Sequence, residues 1–516
     1  GALVAAAAGA LAWRAAPVRG LAAVLAAGLA VHGVVSAVAA VRGSRPDRAV
    51  GVMGGLAALA AAVLAVAWPR LSVFVLALVV GGWLVATGLA TVAAALRRRV
   101  TPRVPRGVRR AVRALATAGA LVVALLAVAG TAWVYRGDAR VAPDGFYDPP
   151  AGVPAEPGRL LRSEPLERGV PEGLRAWRIL YTTTDGEGRA QVASGVVLAP
   201  PTQATGGRTG DGSPVIAVGH GTTGVVPRCA PSLAAEPFAD GASAALERLV
   251  RDGWVGVMSD YVGLGTAGPH AYLVGPDAAH HVLDAVRAAR ELDGTALADD
   301  VVVWGHSQGG HAALWTGLLA PTYAPDVALR GVAAFAPATD LTSLAVDLAP
   351  TAIGKLVGAY LVASWDEVYP ELGLRAQVPR GYAGVVDRIA DHCFLGRDVL
   401  AAFAAATQLT SEVLPRSALE GGLGELLAAE TPSGEIDVPV LLAQGDADLL
   451  VLPGQQRRFV ADWCAGGQAV DYREYPGLDH LSLVAADSPL TEELVAWTRD
   501  RVAGVPATSL PASCQS

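Results

Sequence analysis

Gly305-His306-Ser307-Gln308-Gly309 matches the pattern G-x-S-x-G. That pattern carries chemistry only on a sharp strand-to-helix turn, which presents the serine hydroxyl at the top of a sheet. Here Val301-Val302-Val303-Trp304 reads as a buried strand, and "HAALWTGLLA" (311–320) reads as the helix that follows. Gly305 and Gly309 fall where any side chain would collide with strand or helix. A bare match means little in a chain with 60 glycines. The strand–turn–helix setting makes Ser307 a candidate nucleophile.

A serine nucleophile needs a base, and the base needs an acid to orient it. On a nucleophile elbow of this kind the order along the chain is Ser, Asp, His. "QGDADLLVLP" (444–453) offers two acids at a strand end. Asp448, in a D-x-x-V-x-P setting, is the leading candidate and Asp446 the runner-up. His480, in "PGLDHLSL", is the only histidine after Asp448, and Asp479 beside it reads as a solvated loop charge. These three side chains could transfer an acyl group. His480 takes the Ser307 proton, Asp448 holds the imidazole, and Ser307 attacks a carbonyl.

The resulting oxyanion needs donors that are already in place. One expected donor is the backbone N–H of Gln308. The other comes from "GHGTTG" (219–224), at Gly221, Thr222 or Thr223. His220-Gly221 resembles the start of an H-G-G-G loop, from which Thr222 and Thr223 depart. A plain glycine turn is the simpler alternative there. Asp260, Tyr261 and His270 follow the next strand and are expected to brace loops or shape the pocket. His306 and His311 read as packing residues. His280, His281 and Asp284 share a helix in a way that imitates metal ligands. They read as a solvated helix face, and no metal or cofactor is expected.

The elements that would position these residues run from about residue 173. "LRAWRILYTTTD" and "AQVASGVVLAP" look like an antiparallel pair. Further strands are expected at 214–221, 254–265, 299–307, 329–338, 438–448 and 468–480, about eight in all, with a helix at 276–292. Apolar strands alternating with helices predict an α/β fold with a mainly parallel sheet covered on both faces. Residues 137–172, rich in Pro and Gly, read as a linker.

The chain of 516 residues is 52% hydrophobic, and its mean hydropathy is +0.40. The excess lies before residue 136. Five stretches approach the length of about 20 apolar residues that a spanning helix needs: 1–13 (short and expected to be truncated), 18–41, 50–68, 71–96 and 114–135. Arg42, Arg45 and Arg48 separate the second and third. Eight arginines from Arg97 to Arg113 separate the fourth and fifth. Cytoplasmic loops collect such charge, so everything after Arg136 is expected outside the cytoplasm, with Trp133 and Tyr135 at the outer interface. The net charge of −7 and the lack of a basic stripe give no sign of nucleic-acid binding. Cys229, Cys393, Cys464 and Cys514 all follow residue 136, as two disulfides in an oxidising compartment would require. Spacing alone leaves their pairing open.

"SDYVGLG…PHAYLVG", "GHSQGG", "DADLLVLP" and "GLDH" together resemble the secretory lipase family, the lipase A-like α/β-hydrolases, over about residues 145–516. The resemblance implies an α/β-hydrolase domain over 173–516, ester hydrolysis, and a helical lid at about 339–436. It also implies Cys229–Cys393 and Cys464–Cys514 pairs. "ALAWRAAPVRGL" and "VLAVAWPRLSV" resemble the HdeD-like short-repeat membrane family over about residues 1–99. The 1–136 region, with no intramembrane acid, reads as an anchor. The expectation is therefore a multi-pass plasma-membrane protein carrying an extracytoplasmic carboxylic ester hydrolase. It would act on ester or lipid substrates with no obligate protein partner. An acyltransferase with the same triad, or a non-catalytic sensor or scaffold, are the alternatives.

Overall fold

The computed structural model describes residues 18–42, 45–68, 106–136, 141–201, 212–239, 241–506 and 514. Two compact units divide the chain: residues 1–138 with 397–411, and residues 139–396 with 412–516.

In the first unit, α1 (Val18–Arg42), α2 (Arg45–Ala67) and α3 (Arg106–Arg136) are helical. Each contains a stretch long and apolar enough to cross a membrane: Ala22–Arg42, Arg48–Ala67 and Thr117–Val134. The candidate spans at 1–13 and 71–96 lie outside the described residues. α3 begins at Arg106, ahead of the expected start at 114, because arginine continues a helix readily. Small residues let α1 and α2 touch. A Cβ on Gly33 would meet the Gly55 carbonyl oxygen at 2.7 Å, and one on Gly55 would meet the Gly33 oxygen at 2.6 Å. Trp68 Nε1 donates to Thr131 Oγ1 at 2.9 Å, joining the end of α2 to α3.

The second unit is built on a sheet of nine strands among the described residues, ordered β1-β2-β3-β5-β4-β6-β7-β8-β9. β1 (Leu160–Leu166), β2 (Arg175–Thr184) and β3 (Ala190–Ala199) form an antiparallel edge. β5 (Val255–Ser259) pairs antiparallel with β3. β4 (Ser213–Gly219), β6 (Leu297–His306), β7 (Ala328–Phe335), β8 (Val440–Gly445) and β9 (Val470–Tyr475) complete a parallel set with β5. Side chains alternate between two cores, as the strand period requires. Val301 and Val303 of β6 pack with α5 (Gly275–Arg290) and α6 (Gln308–Tyr323). Val302 and Trp304 pack on the other face with α4 (Ser243–Arg251) and the C-terminal helix Pro489–Val502.

β1 corrects the reading of 137–172 as linker and adds a strand to the expected eight. Arg162, Ser163, Glu164 and Pro165 give it no apolar alternation, and an edge strand tolerates the proline. Pairing to β2 forms it, and Arg178 of β2 binds both Glu164 and Asp144.

Between β7 and β8 lies a run of helices: α7 (Leu341–Leu348), α8 (Ala352–Val368), α9 (Leu374–Gln377), α10 (Ala383–Ala390), α11 (Gly396–Ala406), α12 (Arg416–Leu419) and α13 (Gly422–Ala429). These helices occupy the 339–436 interval, but they do not form one continuous body. Residues 397–411 group with the N-terminal helices. Buried alanines Ala401, Ala402, Ala404, Ala405 and Ala406 make α11 a close-packing helix.

Candidate active site

The parallel strands all deliver their C-terminal ends to one edge of the sheet, where crevices form in such folds. β6 ends there at His306, and Ser307 follows with φ 58° and ψ −119°. This left-handed, strained conformation is unusual for a residue with a side chain, and such strain concentrates at functional sites. The elbow leaves no room at its two glycines. A Cβ on Gly305 would lie 1.9 Å from the Gly309 carbonyl oxygen, and one on Gly309 would lie 1.9 Å from that of Gly219. Ser307 N–H donates to Phe335 O at 2.9 Å, which pins the turn to the end of β7.

β8 and β9 bring up the acid and the histidine. Asp448 Oδ2 lies 2.8 Å from His480 Nδ1. Asp448 is buried and also accepts from Leu450 N (2.7 Å), Val451 N (2.9 Å) and Gln444 Nε2 (3.1 Å). Asp446, the runner-up, is exposed and accepts instead from Gly477 N at 2.6 Å. Asp479 is an exposed loop charge whose carboxylate accepts from Leu481 N and Ser482 N. His480 and Ser307 line one cavity of about 190 Å³, together with Gln308, Gly221 and Thr222. Thr223 is buried but is not in that wall. Gln308 opens α6, so its backbone N–H has no carbonyl behind it in the helix.

His306 does more than pack. Its Nε2 donates to the His480 carbonyl at 2.9 Å, and the two rings lie 4.5 Å apart. The elbow thus holds the histidine loop from a strand 174 residues earlier in the chain. No local pattern announces this contact. His270, read as a loop brace, supports the elbow's side chain. Its Nδ1 faces the Val262 carbonyl at 3.1 Å, and its Nε2 accepts from Gln308 Nε2 at 3.3 Å. Burial, reinforced by nearby His220, pushes the His270 pKa down to about 3, so the ring stays neutral and can accept. Asp260 is fully buried and takes bonds from Ser194 Oγ, Ser232 Oγ and Ser232 N, which ties the loop after β5 to β3.

His280, His281 and Asp284 correct the expectation of a solvated face, since all three are buried. The antiparallel strands and α6 cover the side of α5 that an isolated helix would expose. His280 stacks on Tyr323 at 3.6 Å, and Asp284 accepts from Thr183, Tyr323 and Arg287. His311 donates to the Glu430 carbonyl at 2.7 Å, joining α6 to the foot of the lid. The cysteines pair as the family resemblance implied, Cys229 with Cys393 and Cys464 with Cys514.

A family model described as secretory lipase matches residues 240–509, more than half of the chain. The chain belongs to the secretory lipase family. The chain also matches a short-repeat model of unknown function over residues 53–127, later in the chain than the expected 1–99. It is 28% identical to a "probable inactive lipase" of Mycobacterium tuberculosis, covering 71% of this chain and 83% of that one. It is 25% identical to a secreted triacylglycerol lipase of Malassezia globosa, covering 71% and 82%. Among solved structures, lipase A of Candida antarctica in its closed state aligns with a TM-score of 0.57 at 18% identity, covering 72% of this chain and 89% of that one. The rice cell wall degrading esterase LipA of Xanthomonas oryzae aligns at 0.54 and 24% identity, covering 68% and 99%. These structural likenesses establish the α/β-hydrolase fold.

The lid's foot carries a titratable contact. Glu430 is 6% exposed and accepts from Gly275 N, at the head of α5, at 2.7 Å. Burial raises its pKa from 4.5 to about 7, opposed by the Gly275 bond and aided by Asp277. The folded state therefore binds more protons than the unfolded state between those values. Glu430's contribution is complete below about pH 4.5 and is lost as pH rises through about 7. Glu430→Gln keeps the acceptor for Gly275 and removes the charge. It is expected to stabilise the protein at pH 8 by on the order of 3 kcal/mol and to give no gain at pH 4. Thermal unfolding at both pH values checks this, and an equal shift at both would contradict it.

Proposed function

We propose that this protein is a serine carboxylic ester hydrolase, held at the plasma membrane by its N-terminal helices with the catalytic unit outside the cytoplasm. The observation that carries the reading is Ser307 on a strained elbow, sharing one cavity with a His480 whose Nδ1 lies 2.8 Å from buried Asp448. His480 Nε2 takes the Ser307 proton as Oγ attacks the ester carbonyl, and returns it to the departing alcohol. Water, deprotonated by the same histidine, then attacks the acyl-enzyme and releases the acid. Gln308 N–H supplies one donor to each tetrahedral oxyanion.

The apolar lining around Ser307 suits an acyl chain. Leu273, Leu344, Leu348 and Val357 wall both the Ser307 cavity and a smaller neighbouring apolar cavity of about 70 Å³. Leu481, at the cavity edge, is 69% exposed. Arginine-rich segments before α2 and α3 and the paired cysteines support the orientation.

Hydrolysis of p-nitrophenyl esters of graded chain length by the detergent-solubilised protein tests the proposal. Turnover is expected to favour medium and long acyl chains over acetate by about tenfold or more, each buried CH₂ adding about 0.8 kcal/mol until the cavity is full. The name of the Mycobacterium tuberculosis relative favours a second reading, a non-catalytic domain. No turnover of any ester, and no labelling of Ser307 by an alkyl phosphonate, would support that reading and sink the hydrolase.

A further inference from the structure

His220 lies at the end of β4, under the loop that carries Gly221 and Thr222, and is 1% exposed. Its Nδ1 is 2.6 Å from the Gly221 carbonyl oxygen, and its Nε2 is 3.1 Å from the Asp260 carbonyl oxygen. The ring packs against Tyr261 at a centroid distance of 4.3 Å, and Tyr261 OH donates back to the His220 carbonyl at 3.3 Å. A neutral imidazole has one N–H, and the shorter contact assigns it to Nδ1, which donates to the Gly221 oxygen, while Tyr261 holds one face of the ring.

A trans peptide holds a carbonyl and the following N–H on opposite edges, and no cis bond occurs among the described residues. Drawing the Gly221 oxygen onto His220 therefore turns the Thr222 N–H the other way. Gly221 and Thr222 wall the cavity that holds Ser307 and Gln308. The β4–β6 pairing of Gly219 with Gly305 sets this loop directly beside the elbow. The Thr222 hydroxyl is engaged with Tyr272 OH at 2.9 Å, whereas its N–H pairs with no acceptor among the described residues.

We propose that His220 is a positioning residue that locks the Gly221–Thr222 peptide so that the Thr222 N–H, with that of Gln308, receives the tetrahedral oxyanion. The assignment rests on the ester-hydrolase reading and names the donor that the sequence left open among Gly221, Thr222 and Thr223.

Asparagine places its amide nitrogen where Nδ1 stands, and glutamine places its own where Nε2 stands. His220→Asn therefore keeps the bond to Gly221, and His220→Gln reaches only the Asp260 side. His220→Gln is expected to lose about 100-fold in kcat, with KM within about twofold, because an oxyanion donor acts in the transition state. His220→Asn is expected to stay within about tenfold of the wild-type kcat. Equal losses in the two variants, or a loss confined to KM, would overturn the proposal. A measurement on the unaltered protein guards against variants that do not fold. In a structure of the wild-type chain carrying an alkyl phosphonate on Ser307, the phosphoryl oxygen is expected about 2.7–3.1 Å from Thr222 N and Gln308 N. An oxygen bound by Gly221 N or Thr223 N would overturn the His220 assignment and leave the hydrolase reading intact. Failure of Ser307 to form the adduct would overturn both.

Discussion

Ser307→Ala is expected to lower kcat for ester hydrolysis by about 10⁴- to 10⁶-fold while the protein unfolds at the wild-type temperature. The hydroxyl is the only group on the elbow that can form the acyl-enzyme. Its loss leaves the turn intact, because the turn is held by Ser307 N–H and by the two glycines rather than by Oγ. The acid supplies an internal control. Asp448→Asn removes the charge beside His480 Nδ1 and can hold the wrong imidazole tautomer, so a loss of about 10⁴-fold is expected. Asp446→Asn, two residues away, is expected to change kcat by no more than about threefold. Asp446 is exposed and bonded to Gly477, with no contact to the imidazole. Steady-state kinetics on the three variants, with circular dichroism to show that each is folded, decides the matter. A Ser307→Ala protein that still turns over esters, or an Asp446 effect as large as that of Asp448, would contradict the assignment.

Breaking the Cys229–Cys393 bridge is expected to be the largest stability loss available from one covalent change. The bridge closes a loop of 164 residues that spans the sheet core and much of the lid. On a chain-entropy basis such a loop contributes about 5 kcal/mol. It also bears on the site. Cys393 precedes Phe394, which lines the Ser307 cavity and whose N–H donates to Thr223 O at 2.6 Å, next to the oxyanion loop. The double variant Cys229→Ser/Cys393→Ser is therefore expected to lower both Tm and kcat. Cys464→Ser/Cys514→Ser, whose loop spans 50 residues away from the cavity wall, is expected to lower Tm and spare kcat. The same cysteines report on topology. Thiol alkylation in intact cells, followed by a non-reducing gel, is expected to find all four cysteines oxidised. Free thiols throughout would place the catalytic unit in a reducing compartment and contradict the proposed orientation.

What could be read in the one-dimensional chain was whatever is written locally. The elbow was legible because strand, turn and helix are contiguous and the steric demand for Gly305 and Gly309 is local. Strands with two buried faces were legible because they are unbroken apolar runs, and α1, α2 and α3 because a membrane asks only for length and apolarity. The order Ser307, Asp448, His480 followed from the connectivity of the fold type.

Only the tertiary structure decided questions that turn on contacts between distant segments. β1 exists because β2 pairs with it, and its own polar residues carry no strand period. His280, His281 and Asp284 are buried because a second layer covers a helix face that looks solvated in isolation. His306 reaches the His480 carbonyl, and His220 reaches Gly221 and Asp260, through partners up to 174 residues away. A side chain's type limits the bonds it can make. Which partner stands within 3 Å is set by the packing of the whole sheet, and that packing turned a histidine read as filler into a support of the site.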